Sequence, residues 1–196
     1  MINLAVFASG AGSNAENIIE HFNHHPAVRV VLIVCNKQGA GVIDIAKNAA
    51  IPYMLINKEI FFRGNAYLPD LQKAGIQWII LAGFLWKLPA ALLAAYPGRI
   101  INIHPALLPN YGGKGMYGVF VHQAVLDAKE SQSGITIHYV DEHYDHGDVI
   151  FQASCPVEKE DSPETLAAKV HRLEHHHYPK IIEQVVLDMP DMMKDK

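Results

Sequence analysis

Cysteine is scarce in this sequence, with only Cys35 and Cys155 among 196 residues. Both lie in apolar segments of the kind that form strands, and their spacing provides no pair of metal ligands. This pattern excludes a disulfide framework and a cysteine-based zinc site. It predicts that both cysteines are reduced residues in the core of a cytoplasmic protein.

Long apolar runs and an excess of charge of one sign are also absent. No segment approaches the roughly 20 apolar residues that a membrane-spanning helix needs, and the first strand is expected to begin at Ile2, with no leader before it. Charged residues make up 18% of the chain, and its net charge is −4. We therefore expect small-molecule partners, no nucleic acid and no membrane. Composition and charge do not indicate which oligomeric state the protein adopts.

A metal site is not predicted either, although the chain contains 12 histidines. The most suggestive run is His175-His176-His177. Successive side chains of a helix diverge by about 100°, so three consecutive histidines cannot bind one ion. No metal is therefore expected.

Apolar segments dominate what is present, since half of the residues are hydrophobic. This is enough for one globular domain, expected over residues 1–188, with 189–196 as a frayed tail. Five segments are predicted as strands that alternate with helical patterns: 2–8, 28–34, 51–56, 78–82 and 99–104. The alternation predicts an α/β, Rossmann-like fold with a mainly parallel sheet and helices on both faces.

The remainder of the chain follows a different pattern. Segments 134–140 and 149–153 predict a C-terminal antiparallel strand pair. A long final helix is expected to begin at Asp161-Ser162-Pro163, where a capping side chain precedes a first-turn proline. Residues 58–64 are expected to form a loop.

Asn102 and His104 stand at the end of the fifth predicted strand. Residues two apart in a strand point to the same side, and Pro105 cannot continue the ladder. An amide and an imidazole placed together can hold a carbonyl oxygen and move a proton. The alternative for such a short motif is that Asn102 caps a turn and His104 is a hydrogen-bonded core residue.

A glycine-rich loop, Gly10–Asn14, follows the first predicted strand and opens a helix. Such a helix N-terminus favours an anion, because its free N–H groups point at the ligand. The loop has neither a Gly-x-Gly-x-x-Gly pattern nor a Walker lysine, so a phosphate monoester fits better than a dinucleotide. A tight turn with a Ser or Asn cap remains the alternative.

Three further loops complete the pattern: Gly83–Leu88, the glycine-rich segment Tyr111–Gly118, and the polar turn Asp141–Asp148. Ligands of parallel sheets bind beyond the carboxyl ends of the strands, near a switch in strand order. We therefore expect the first of these loops, the glycine loop and the Asn102–His104 pair to face one cleft. The glycine content of Tyr111–Gly118 predicts a mobile loop over that cleft.

The set Asn102-Ile103-His104-Pro105, with Leu107-Leu108-Pro109 and with Asp145 in an Asp-x-Gly turn, resembles the folate-dependent formyltransferase family. The resemblance covers residues 2 to about 185, and the glycine loop narrows it to members that formylate glycinamide ribonucleotide. It implies direct transfer of the formyl group of 10-formyltetrahydrofolate, a co-substrate, to the amine of that nucleotide in purine synthesis.

The resemblance also implies roles for individual residues. Those implied to be catalytic are Asn102, His104 and Asp145. Those implied to hold the phosphate and ribose of the amine substrate are Gly12, Ser13, Asn14 and Glu174. Those implied to bind folate are Arg63, Leu85, Trp86, Lys87, Leu88, Asn102, Val140 and Asp145. His138 is implied to line the site.

The sequence departs from the family pattern at Trp86-Lys87, Phe120 and Asp148, and the Gly112–Gly118 loop is longer than in many relatives. Two relatives with other activities remain as alternatives. A tRNA-directed formyltransferase is expected to carry a further C-terminal module, and a formyltetrahydrofolate hydrolase an additional preceding domain. A third alternative, a nucleotide-binding module without catalysis, accounts for the glycine loop alone.

Overall fold

The computed structural model of this chain describes residues 1–188, so the predicted frayed tail, 189–196, lies outside the described residues. The strands are β1 Ile2–Ala8, β2 Val28–Cys35, β3 Tyr53–Leu55, β4 Trp78–Leu81, β5 Ile100–His104, β6 Gln132–Tyr139 and β7 Val149–Pro156. The helices are α1 Ser13–Phe22, α2 Gly41–Asn48, α3 Lys58–Arg63, α4 Leu68–Lys73, α5 Ala90–Ala95, α6 Val119–Asp127 and α7 Pro163–Asp188.

All seven described strands belong to one sheet, in the order β3-β2-β1-β4-β5-β6-β7. The first five in this order are parallel, whereas β6 pairs antiparallel with both β5 and β7. This confirms the predicted α/β class and the antiparallel C-terminal pair. The chain leaves β1 toward β2 on one side and later returns to β4 on the other. That reversal places the β1 and β4 loops beside each other.

Helices cover both faces of the sheet, because alternate strand residues point to opposite sides. Leu4 and Val6 of β1 pack into a core with α1, α2, α6 and α7. Ala5 and Phe7 of the same strand pack into a second core with α3, α4 and α5. The predicted arrangement of helices on both faces is thus confirmed.

Two helices were not expected from the sequence. Segment 58–64, predicted as a loop, contains α3, and α5 lies in a segment with no predicted helix. The Asn57 side chain caps α3 by accepting hydrogen bonds from the N–H groups of Glu59 and Ile60, and Phe61 is buried in the second core. Helices of six residues contain too few turns to show a clear apolar period.

Smaller differences concern the third strand and one cysteine. Strand β3 has only three residues, Tyr53–Leu55, inside the predicted 51–56 segment. Cys35 is a buried free thiol, as predicted, whereas Cys155 is half-buried because β7 is an edge strand. None of the helices within residues 1–188 is both long and apolar enough to cross a membrane.

Candidate active site

A cleft of about 770 Å³ lies at the carboxyl ends of β4 and β5, beside the N-terminus of α1. It is enclosed by residues of both cores, by the 113–118 loop, and by the face of α7 that carries Glu174. Ser9, which follows β1, ties two of the surrounding loops together. Its N–H donates to the carbonyl of Gly83 at 3.1 Å, and its hydroxyl accepts from the N–H of Leu85 at 2.9 Å.

Asn102 and His104 both line this cleft, as their spacing in β5 predicts. Strand β6 pairs His138 opposite Asn102. Atom Nδ1 of His138 lies 2.7 Å from the carbonyl oxygen of Tyr139, which can only accept, so Nδ1 carries a proton. In the neutral ring Nε2 then accepts from the Asn102 amide at 3.1 Å. The second N–H of that amide stays available to the cleft.

His104 is held in the same way by a backbone carbonyl. Its Nε2 donates to the oxygen of Tyr111 at 2.7 Å, and its Nδ1 lies 3.6 Å from Oδ2 of Asp145. Burial lowers the pKa of His104 below its ordinary value of 6.5, although the Asp145 carboxylate and the Tyr111 carbonyl act to raise it. The neutral ring therefore presents the lone pair of Nδ1 toward Asp145.

Asp145 lies between two imidazoles, with its Oδ1 3.6 Å from Nε2 of His138. Burial acts to raise the pKa of this carboxyl. The His138 and His104 rings in their protonated forms, and the N–H of Gly113, which donates to Oδ2 at 2.8 Å, outweigh burial and lower the pKa below its ordinary value. The carboxylate form is therefore favoured in this site.

The turn that presents Asp145 depends on Gly147. A Cβ added at Gly147 would lie 1.8 Å from the carbonyl oxygen of Tyr139, so only glycine fits against β6. Asp145 itself has a positive φ of 56°, a conformation that aspartate adopts more readily than most residues. These two positions explain the Asp-x-Gly pattern physically.

The glycine loop forms the predicted strand-to-helix turn, but its cap differs from the Ser/Asn alternative. The N-cap of α1 is Gly12, at φ 89°, and within residues 1–188 no side chain caps the first turn by a hydrogen bond. A Cβ at Gly12 would lie 2.7 Å from that of Val42. Asn14 lines the cleft, whereas Gly12 and Ser13 adjoin the cleft without lining it.

Glu174 closes the cleft from α7 and is 8% exposed. Its Oε2 accepts from Asn14 Nδ2 at 2.9 Å and lies 2.8 Å from Nδ1 of His171. The hydrogen bond and charge of Glu174 raise the pKa of His171. His122, on α6, also lines the cleft, and burial lowers the pKa of its ring.

Two supporting groups have no sequence motif that identifies them. The hydroxyl of Tyr178, fully buried, contacts the carbonyls of Leu81 and Ile101 at 2.8 and 3.2 Å, which fastens α7 to the ends of β4 and β5. Thr136 Oγ1 accepts from the N–H of Leu108 at 2.9 Å and donates to the carbonyl of Ala106 at 2.7 Å. Thr136 thereby holds the turn that follows His104.

A second, smaller pocket of about 80 Å³ adjoins the cleft through Asn102, Tyr144 and Asp145. Six of the residues implied to bind folate line it: Trp86, Lys87, Leu88, Asn102, Val140 and Asp145. A seventh, Leu85, lines the main cleft. Arg63 is not brought to either cavity: its side chain is 81% exposed on α3 and pairs with Glu59 at 3.3 Å.

Within residues 1–188, no three His, Cys, Asp or Glu side chains are grouped closely enough to hold a metal ion. The chemical groups that face the cleft are instead an amide, imidazoles and carboxylates. Such groups can stabilise an oxyanion and transfer protons at a carbonyl carbon.

Comparison with known proteins agrees with this geometry. Residues 2–182 match the formyl transferase family. Phosphoribosylglycinamide formyltransferase of Bacillus subtilis is 36% identical over 191 residues, which cover 95% of each chain. The crystal structure of phosphoribosylglycinamide formyltransferase from Bacillus halodurans superposes with a TM-score of 0.86 at 34% identity, covering 97% of this chain and 98% of that one.

A plant relative is longer. Chloroplastic phosphoribosylglycinamide formyltransferase of Arabidopsis thaliana is 41% identical over 185 residues, which cover 91% of this chain but only 63% of the plant protein. The match to the family nevertheless includes every β-strand and most of α7. By fold, site and sequence, this chain belongs to the formyl transferase family.

Proposed function

We propose that this chain transfers the formyl group of 10-formyltetrahydrofolate directly to the amine of glycinamide ribonucleotide, in purine synthesis. The observation that carries the proposal is the convergence of Asn102, His104 and Asp145 between two dissimilar subsites. On one side are the α1 N-terminus and Glu174, and on the other is the pocket lined by Trp86 and its neighbours. The bacterial relatives named above bear the corresponding enzyme name.

The subsite beside α1 suits a ribose phosphate. Among the described residues, no side chain caps the first-turn N–H groups of α1, which supports phosphate binding by Gly12, Ser13 and Asn14. Glu174 is a buried carboxylate that can accept hydrogen bonds from ribose hydroxyls. Asn102 lines both the main cleft and the smaller pocket, so the reacting groups of the two substrates can meet beside it.

The smaller pocket suits a flat, partly polar ring. Trp86, Leu88 and Val140 supply apolar walls, and Asp141 lines its edge. We therefore propose that the pterin end of the formyl donor binds there, with Leu85 and Lys87 beside it. The exposed position of Arg63 supports no contact with the ring, so any role for it is limited to the far end of the donor.

The proposed reaction begins when the neutral substrate amine attacks the formyl carbon and the carbonyl oxygen becomes an oxyanion. The free N–H of the Asn102 amide donates to that oxygen, which stabilises the tetrahedral state more than the ground state. The bond from Asn102 to His138 fixes the orientation of the amide. His138 is thus proposed to orient Asn102 while lining the site.

Proton transfer completes the exchange. The tetrahedral intermediate has a positively charged nitrogen, whose proton passes to Nδ1 of neutral His104. The resulting imidazolium is stabilised by Asp145, and it returns the proton to the departing folate nitrogen. The carbon–nitrogen bond to folate then breaks, the carbonyl re-forms, and His104 is neutral again. The lowered pKa of His104 supports a neutral resting ring that is ready to accept this proton.

One assay tests the proposal. The protein is incubated with 10-formyltetrahydrofolate, with and without glycinamide ribonucleotide, and both deformylated folate and formylated nucleotide are measured. We expect equal amounts of the two products, and only when the amine is present. Deformylation at the same rate without the amine would instead identify a hydrolase, and absence of turnover would contradict both activities.

The cytoplasmic location predicted from the sequence stays a prediction. The Arabidopsis relative is named chloroplastic. The proposal requires only that both small-molecule substrates reach the cleft.

A further inference from the structure

Helices α1 and α7 are joined by two side-chain amides of α1. Asn14 Nδ2 donates to Oε2 of Glu174 at 2.9 Å, and Asn17 Nδ2 donates to the carbonyl oxygen of His175 at 2.7 Å. Residues three apart lie on the same side of a helix, so both amides face α7. We refer to these two hydrogen bonds as the α1–α7 amide contacts.

The carbonyl that Asn17 binds lacks its usual partner within α7. In an α-helix the carbonyl of His175 would accept the N–H of residue 179. That residue is Pro179, which lies inside the 26-residue helix and has no N–H. The side chain of Asn17 therefore supplies a hydrogen bond that the backbone of α7 cannot make.

We propose that Asn17 is a positioning residue for the amine substrate, an inference that rests on the proposed function. His175 follows Glu174 directly, so a bond to its carbonyl holds the turn of α7 that presents the carboxylate. Asn17 itself lies one turn beyond the Gly12–Asn14 loop. It touches no substrate, but it sets the distance between the phosphate-binding end of α1 and the ribose-binding Glu174.

If this proposal is correct, loss of the Asn17 hydrogen bond affects the binding of the two substrates differently. Among the described residues, the lining of the smaller pocket, proposed to bind the pterin, includes none from α1 or α7. The lining of the main cleft includes Asn14, His171 and Glu174. Loss of the Asn17 bond should therefore weaken binding of the amine substrate alone. A general loss of stability would weaken both ligands together.

The first measurement is the dissociation constant of glycinamide ribonucleotide and of a folate analogue, by calorimetry. Asn17→Ala should raise the constant for the nucleotide roughly three- to tenfold, as expected for one lost hydrogen bond. The constant for the folate analogue and the kcat at saturation should change by less than about twofold. Asn48→Ala, the same substitution at an exposed position of α2, is the matched control and should change neither.

Asn17→Asp keeps the size of the side chain and removes its N–H donors, so it gives a second test if Asn17→Ala is unstable. Equal weakening of both ligands, or no weakening of nucleotide binding, would overturn the inference. A parent protein that does not bind glycinamide ribonucleotide would overturn the proposed function instead.

A double-substitution experiment isolates the role of the His175 carbonyl, which accepts from Asn17. Pro179→Ala provides an N–H at position 179 that can bond to the carbonyl of His175. In that background, Asn17→Ala should change nucleotide binding by less than about twofold, because the carbonyl retains a donor. If Asn17→Ala has the same effect with and without Pro179→Ala, the amide does not act through this carbonyl.

Discussion

Two carboxylate–histidine clusters line the cleft. The pKa values of their histidines, His104 and His171, are shifted in opposite directions. Asp145 lies 3.6 Å from His104, whose side chain is 4% exposed. Glu174 lies 2.8 Å from His171, whose side chain is 42% exposed. Burial lowers the pKa of His104 despite its carboxylate, whereas the hydrogen bond to Glu174 raises the pKa of His171 despite partial burial.

The difference shows that a carboxylate beside an imidazole does not by itself determine the charge of that imidazole. A short hydrogen bond near solvent favours the cation, and a longer separation in a buried site leaves desolvation dominant. The two outcomes suit two tasks. A group proposed to transfer protons must gain and lose one during the reaction, whereas the proposed role of Glu174 is to hold the amine substrate.

The largest expected effect is the loss of kcat when Asp145, His104 or their neighbour Asn102 is substituted. Asn102→Ala, His104→Ala and Asp145→Asn should each lower kcat by roughly 10²–10⁴, while both substrates still bind. Because the three groups act in one step, a double variant should lose less than the product of the single losses. Steady-state kinetics and calorimetry provide the measurements.

Asp148→Asn is the matched control, since Asp148 lies in the same turn but is exposed. It should retain the parent kcat. If Asp145→Asn also turned over at the parent rate, the proton path through His104 and Asp145 would be wrong.

Dismantling the Glu174 cluster should affect binding instead of turnover. Glu174→Gln keeps the shape and removes the charge, so glycinamide ribonucleotide should bind about ten- to a hundredfold more weakly. The affinity for a folate analogue should not change. Glu164→Gln, at the far, exposed end of α7, is the control. A fall in kcat without a change in nucleotide affinity would contradict the division of tasks between the clusters.

The opposite pKa shifts give a third, smaller effect that NMR titration of the histidine rings can measure. In the free protein His104 should titrate below 6.5 and His171 above it. Asp145→Asn should lower the pKa of His104 further, because the carboxylate raises it. Glu174→Gln should lower that of His171 for the same reason. A His104 that titrated above 6.5 would remove the contrast.

The same shifts predict how stability depends on pH. Unfolding lets His104 take up a proton, so its contribution is lost as pH falls below 6.5 toward the lowered pKa. The His171–Glu174 contribution is complete below 6.5 and is lost as pH rises through the raised pKa. Urea unfolding of His104→Gln and His171→Gln across this range should flatten the acid and the alkaline dependence, respectively.

The smallest effect concerns the segment Tyr111–Gly118, which contacts the first cluster through its backbone. Tyr111 accepts from His104, and Gly113 donates to Asp145. With both ligands bound, amide hydrogen exchange in this segment should slow, as in loops that close over a substrate. Exchange in α4, which contributes no residue to the lining of the cleft or of the smaller pocket, should stay constant. Identical exchange with and without ligands would show that the loop does not close.

The sequence alone determined those features that depend on near neighbours along the chain. Buried strands follow from β-branched apolar runs, and the common face of Asn102 and His104 follows from the two-residue period of a strand. The turn of the glycine loop reflects a local need, the positive φ of 89° at Gly12, whereas Gly147 is required by the close approach of its turn to β6. The short helix α3 escaped prediction because tertiary burial of Phe61, and not a periodic pattern, stabilises it.

Only the tertiary structure decided which distant groups meet. Strand pairing places His138 against Asn102, 36 positions apart, and helix docking places Glu174 against Asn14, 160 positions apart. The same packing leaves Arg63 exposed and outside the lining of both cavities, and it exposes His171 more than His104. Ligand geometry and pKa depend on separations of a few ångströms and on burial, and both are set by how whole elements pack rather than by local sequence.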